Sequence, residues 1–199
     1  ERPHLTELVA PTPSVKIAQF NKAKLLHYES NQPRVVREPV LLIPSLINRA
    51  YILDLLKGYS LVEHLLKDGL DVYMLDWGSP TDEDREIEFD SLIESTLKRT
   101  IRKVRLHSGH EQVKLVGYCM GGTLASIYAS LYPEEISGLV NLLGPIDFSK
   151  AGMLAEWTDA RNFNPKLMTD SLGNVPPALM QSAFQGMRPL SQVAKILKP

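Results

Sequence analysis

Leu115-Val116-Gly117-Tyr118-Cys119-Met120-Gly121-Gly122 contains the single cysteine of this 199-residue chain. The octapeptide has the G-x-nucleophile-x-G form of a nucleophile elbow, with Cys where Ser is usual. The apolar residues 113–116 lead in and read as a strand. The small residues 121–131 lead out and read as a helix. At such a junction the nucleophile takes a strained backbone conformation, at a cost on the order of 1–3 kcal/mol, and its side chain is thrust above the sheet. Gly117 and Gly121 stand two before and two after, where strand and helix close on each other and only small residues fit. Gly122 completes the elbow glycines. The plainer alternative is a structural cysteine buried beside packing glycines, since free Cys is among the most buried residue types.

Outward from the elbow, apolar runs alternate with helical patterns. Pro39-Val40-Leu41-Leu42-Ile43-Pro44 is continuously apolar, as a parallel strand buried on both faces would be. Ser60 to Lys67 reads as a helix with Ser60 as N-cap, Glu63 completing a capping box and Gly69 as the stop. Residues 71–76 read as the next strand and 77–86 as a polar loop. Asp90 is expected to cap a long helix whose Ile93, Leu97, Ile101 and Val104 fall at helical spacing. Lys98, Arg99, Arg102, Lys103 and Arg105 on that helix read as its solvated face rather than as a binding surface. Residues 138–143 form a further strand, ending in Gly144-Pro145-Ile146-Asp147.

This alternation predicts an α/β fold: a mostly parallel sheet with helices on both faces. Three segments are expected. Residues 1–38 form an N-terminal extension, with one strand near Lys24 to Tyr28. Residues 39–148 form the core. Residues 149–199 begin a cap or lid, irregular at first, then helical over 178–187 and again over 192–197.

Composition narrows the function. With 22 basic and 23 acidic residues the net charge is −1, which points to neither nucleic acid nor an anionic membrane surface. One cysteine cannot close an internal disulfide, so a reducing, cytoplasmic compartment is the default. Cys and His do not fall at metal-ligand spacings, and no metal is expected. No secretory leader is visible at Glu1, and no apolar run reaches bilayer-spanning length.

Four stretches resemble the catalytic subunit of polyhydroxyalkanoate synthases, most closely the two-subunit classes III and IV. They are residues 39–55, residues 69–78, the elbow with Thr123, and Gly144-Pro145-Ile146-Asp147-Phe148. The resemblance implies an α/β-hydrolase-like fold and polymerisation of 3-hydroxyacyl groups from coenzyme A thioesters into a polyester. It further implies a site at the granule surface in the cytoplasm and pairing with a second synthase subunit, a homodimer, or both. No cofactor is expected, because coenzyme A is part of the substrate.

The residues supply a matching chemistry. A thiolate is the reactive form of cysteine, and helix N-termini favour anions. Cys119 would attack the acyl thioester and hold the acyl group until a chain-end hydroxyl accepts it. The oxyanion needs two backbone N–H donors. One falls to Met120, after the nucleophile, and the other to Leu46 or Ile47 in the turn after the earlier strand. The plainer role of Leu46 and Ile47 is core packing.

The acid and the base are harder to place. Asp147 and Asp76 close strands at the catalytic edge and are candidate orienting acids, although turn or capping roles are commoner there. All five histidines, at positions 4, 27, 64, 107 and 110, precede Cys119. His107 and His110 enter the elbow strand from its far end. No catalytic His is assigned within the chain, and relatives of this kind carry theirs further downstream. The chain therefore reads as the N-terminal part of a synthase, inactive alone. Two alternatives share its features: a cysteine thioesterase or lactone-opening hydrolase of the same fold, and a non-catalytic fragment that binds granules or a partner.

Overall fold

Val40-Leu41-Leu42-Ile43 is apolar at every position, so both faces of that strand need cover. The computed structural model of the protein describes residues 8–186 and supplies cover on both sides. The strands are β1 (Val15–Phe20), β2 (Ala23–Tyr28), β3 (Val40–Ile43), β4 (Asp54–Leu56), β5 (Tyr59–Ser60), β6 (Val72–Asp76), β7 (Val113–Tyr118) and β8 (Ile136–Leu142). Six of them form one sheet in the order β1-β2-β6-β3-β7-β8, and β4 and β5 make a separate hairpin. β3 pairs in parallel with β6 and β7, and β7 in parallel with β8. Only the β1–β2 and β2–β6 pairings are antiparallel in this sheet.

Four helices belong with this sheet: α1 (Leu61–Lys67), α2 (Phe89–Ser91), α3 (Lys98–Ser108) and α4 (Met120–Leu131). α2 continues through a π-helical stretch, Leu92–Leu97, into α3. The pleat divides the core in two. Leu41, Ile43, Tyr73, Leu75 and Leu115 share one face with Ile93, Leu97, Ile101, Val104, Leu124 and Tyr128. Val40, Leu42, Val72 and Met74 share the other with Ala50, Leu53 and Val62. The periodic stripe of the long helix is thus its buried side, and Arg99 and Arg102 lie exposed opposite it.

Helix ends follow the capping chemistry with two differences. The Ser60 hydroxyl accepts the Glu63 N–H at 3.0 Å, as expected for an N-cap. The Glu63 carboxylate, however, accepts from Gly58 N–H at 2.7 Å rather than closing a reciprocal box. At the other end Gly69 N–H bonds Leu66 O and Leu70 N–H bonds Leu65 O, a Schellman stop with Gly69 at φ +73°. Asp90 does not cap the long helix. The extended residue at its start is Glu88 (φ −79°, ψ 158°), and Asp90 already lies inside α2.

The N-terminal residues contain one strand more than expected. β1 pairs antiparallel with β2 across the tight turn at Asn21, which takes φ 54°, and β2 joins the sheet beside β6. Together with these strands, residues Glu1–Ser79 and Ile87–Ile146 form one compact unit.

A second unit comprises Pro80–Glu86 and Asp147–Pro199. It contains α5 (Met153–Trp157), α6 (Pro165–Leu172) and α7 (Pro177–Gly186). α5 and α6 occupy the stretch expected to be irregular. α6 forms because Asn164 caps it, accepting from the N–H groups of Lys166 and Leu167, with Pro165 at its first position. The helix expected over 192–197 lies outside the described residues.

Candidate active site

β7 ends at Tyr118 and α4 begins at Met120, so Cys119 alone makes the bend between them. Its backbone sits at φ 54°, ψ −127°, a region that residues with a Cβ adopt only where their surroundings impose it. Those surroundings are visible. The Cys119 N–H donates to Leu142 O at 2.9 Å, and its carbonyl accepts the Gly122 N–H at 2.7 Å. A Cβ on Gly117 would stand 2.5 Å from Gly121 O, and one on Gly121 would stand 2.0 Å from Ile43 O. A Cβ on Gly122 would meet Asn141 Oδ1 at 2.6 Å. Gly117 and Gly121 therefore admit backbone-to-backbone approach that no other residue allows, and Gly122 leaves room for the Asn141 side chain. Cys119 itself is half-buried, not sealed in the core.

The backbone donors expected around the thiol can be followed one by one. Met120 is the first residue of α4, and a first-turn N–H has no acceptor within its own helix. The turn after β3 is fixed by Ser45, whose buried hydroxyl accepts the Ile47 N–H at 3.1 Å. Ile47 is thereby spent as a donor. Among the described residues the Leu46 amide has no acceptor, so of the two expected donors Leu46 is the one not already bonded. The side chains of Leu46 and Ile47 are exposed rather than packed in the core.

The end of β8 and the loop after it contribute Asn141, which the sequence reading did not single out. Asn141 Oδ1 accepts the Gly144 N–H at 2.6 Å, and its Nδ2 donates to Ser126 Oγ on α4 at 3.3 Å. Thr123 Oγ1 donates to Pro145 O at 2.7 Å. These bonds fasten residues 141–145 to the helix behind the nucleophile. The available signal was one polar Asn within Leu139-Val140-Asn141-Leu142-Leu143.

Both candidate acids have local employment. Asp76 ends β6, and its Oδ1 accepts the Gly78 N–H at 3.0 Å. In the sheet order β6 lies two strands from β7, or about 10 Å across. Asp147, in the second unit, caps the turn Phe148–Lys150 and accepts from Ser149 N–H at 3.1 Å and Ser149 Oγ at 2.5 Å.

Among the described residues the histidines lie away from Cys119. His27 pairs in register with Tyr73, which pairs with Leu41, which pairs with Leu115. That level is four residues, about 13 Å, before the thiol along β7. There His27 is buried, 2.8 Å from Asp71, with Arg34 at 3.1 Å from the other Asp71 oxygen. His107 Nδ1 meets Tyr73 Oη at 2.8 Å in the same cluster. His64 is exposed on α1.

Comparison with known proteins agrees with the fold. Residues 38–183 match the family model described as alpha/beta hydrolase fold, and residues 4–65 match that of the poly-beta-hydroxybutyrate polymerase (PhaC) N-terminus. The poly(3-hydroxyalkanoate) polymerase subunit PhaC of Haloferax mediterranei is 38% identical over 92% of this chain and 37% of its own length. That of Synechocystis sp. is 34% identical over 90% of this chain and 49% of its own length. That of Allochromatium vinosum is 32% identical over 89% of this chain and 51% of its own. The chain thus spans about half the length, or less, of the curated relatives it matches. Among solved structures, the thioesterase domain from the curacin biosynthetic pathway superposes at TM-score 0.50 with 16% identity, over 84% of this chain and 63% of that domain. This likeness bears on the fold alone. The chain belongs to the alpha/beta hydrolase fold family, and its sequence groups it with the PhaC polymerases.

Proposed function

We propose that this chain carries the nucleophile half of a polyhydroxyalkanoate synthase, an acyltransferase that polymerises 3-hydroxyacyl-coenzyme A. The Cys119 thiolate attacks the thioester carbonyl, the oxyanion forms against the Met120 and Leu46 N–H groups, and the coenzyme A thiolate leaves. A chain-end hydroxyl then attacks the acyl-cysteine carbonyl, forming an ester and returning the thiolate, while the hydroxyl proton ends on the coenzyme A thiolate released in the first step. Thioester-to-thioester exchange is nearly balanced, so the bound acyl group stays activated for the second step. The observation that carries this reading is Cys119 itself: a half-buried thiol held at φ 54°, ψ −127° between a central strand and a helix N-terminus. The PhaC relatives support the substrate class.

The described residues bring no imidazole to Cys119, and loss of a triad base costs several orders of magnitude in rate. These 199 residues alone are therefore expected to turn over very slowly. The second helical unit is proposed as the beginning of a cap, and the polyester granule and a second synthase subunit or homodimer as partners. No helix among the described residues is long and apolar enough to cross a membrane.

The test is the product formed from radiolabelled 3-hydroxybutyryl-coenzyme A by the protein together with the remainder of its coding sequence. Insoluble polyester supports a synthase. Free 3-hydroxybutyrate with coenzyme A, and no polymer, would transfer the assignment to a thioesterase of the same fold.

A further inference from the structure

We infer that Trp77 is a positioning residue for the Leu46 oxyanion donor; this rests on the acyl-transfer reading above. The last ladder pairs of β3 are Leu42 with Met74 and Ile43 with Gly117. Pro44 lies beyond them, so its buried carbonyl has lost the sheet as a donor. An orphaned buried carbonyl is costly. The Trp77 indole N–H replaces the ladder, donating to Pro44 O at 2.9 Å. On the other side a Cβ on Gly121 would stand 2.6 Å from the same oxygen. The exit of β3 is thus held between the indole and the first turn of α4, the turn that begins with Met120.

The far end of the same turn is tied to the same segment. Arg49 donates to Ser79 Oγ, two residues after Trp77. Between these ties Ser45 Oγ holds the Ile47 N–H. Residues 77–79 therefore clamp both ends of the turn that presents Leu46, and the Trp77 bond is the one next to it. The ring also packs against the core beneath β3, which immobilises the donor. A displacement of about 1 Å at such a group costs on the order of a hundredfold in rate.

The test compares two reactions of the same thiol. Alkylation of Cys119 by iodoacetamide displaces iodide and builds no oxyanion. Acylation by S-phenyl thioacetate passes through one. Trp77→Phe keeps an aromatic six-membered ring and removes the N–H together with the five-membered ring of the indole, and the alkylation rate reports any general loosening that the smaller ring causes. The substitution is expected to lower the acylation rate roughly tenfold to a hundredfold while leaving alkylation within about twofold. Equal rates for the variant and the native chain in both reactions would overturn the inference. So would an equal fall in both, which marks a merely structural bond. Arg49→Ala, on the exposed end of the turn, should show the same selective loss of acylation at smaller size, and carries the test if Trp77→Phe does not fold. A native chain that is alkylated but never acylated would instead remove the acyl-transfer reading beneath it.

Discussion

Cys119 sits at φ 54°, ψ −127°, a conformation that costs a residue with a Cβ on the order of 1–3 kcal/mol. Cys119→Gly should therefore stabilise the fold, by roughly 1 kcal/mol after the entropy gained by the unfolded chain is subtracted. Cys119→Ala should give no such gain, and the difference is read from urea midpoints of the two variants. Gly121 predicts the opposite sign. A methyl group there meets Ile43 O, in the backbone of a central strand, at 2.0 Å. Gly121→Ala is expected to cost about 2–4 kcal/mol, or to prevent folding, because strand and helix must part. The spacing of Gly117, Cys119 and Gly121 was legible because close backbone approach leaves one residue type available. The role of Trp77 was not, because it depends on where the Pro44 carbonyl falls relative to the last ladder bond, which the sequence does not state.

At the scale of elements, periodicity carried most of the information. Ile93, Leu97, Ile101 and Val104 were readable as one stripe and are all buried. Ile101→Ala should cost about 2–5 kcal/mol. Leu106, on the same helix but 69% exposed, should tolerate Ala within about 0.5 kcal/mol; thermal melts of the two variants check the contrast. β1 was missed because Pro11 and Pro13 made its surroundings read as irregular, although Val15-Lys16-Ile17 alternates and Asn21 marks the turn. α6 was missed because its signal is a cap, Asn164-Pro165, and not an apolar stripe. The long helix was found but its start was placed at Asp90, since the fold capped it with an extended Glu88 that carries no capping bond. Asp147 and Asp76 were read as candidate acids from their places at strand ends, and both make local turn bonds; no base was assigned, because such partners converge through tertiary structure and not through spacing.

For the whole molecule, three buried tyrosines oppose unfolding less and less as pH rises past the ordinary tyrosine range. Tyr28, Tyr73 and Tyr128 are all nearly inaccessible. Burial raises each hydroxyl above its ordinary pKa, and nearby carboxylates add to it: Asp54 at Tyr28, Asp71 at Tyr73 and Glu135 at Tyr128. The folded state therefore keeps protons that the unfolded chain releases near pH 10. Their contribution is fully present below that pH and is lost as pH rises through and above it. Stability measured by urea unfolding should fall beyond about pH 10, and Tyr128→Phe should reduce that fall.

The sheet has a second consequence. β8 lies at its edge among the described residues, with Leu139 and Val140 40% and 47% exposed. An uncovered apolar edge favours association. Sedimentation of these 199 residues should show concentration-dependent association that Val140→Lys suppresses.

The central claim is that the sulfur of Cys119 carries the acyl group. Intact-mass and peptide-map analysis after exposure to 3-hydroxybutyryl-coenzyme A tests it directly. One added hydroxybutyryl mass on the peptide containing Cys119, absent in Cys119→Ala, is the expected result. An unmodified Cys119, or a Cys119→Ala protein that still acquires the acyl group, would contradict it.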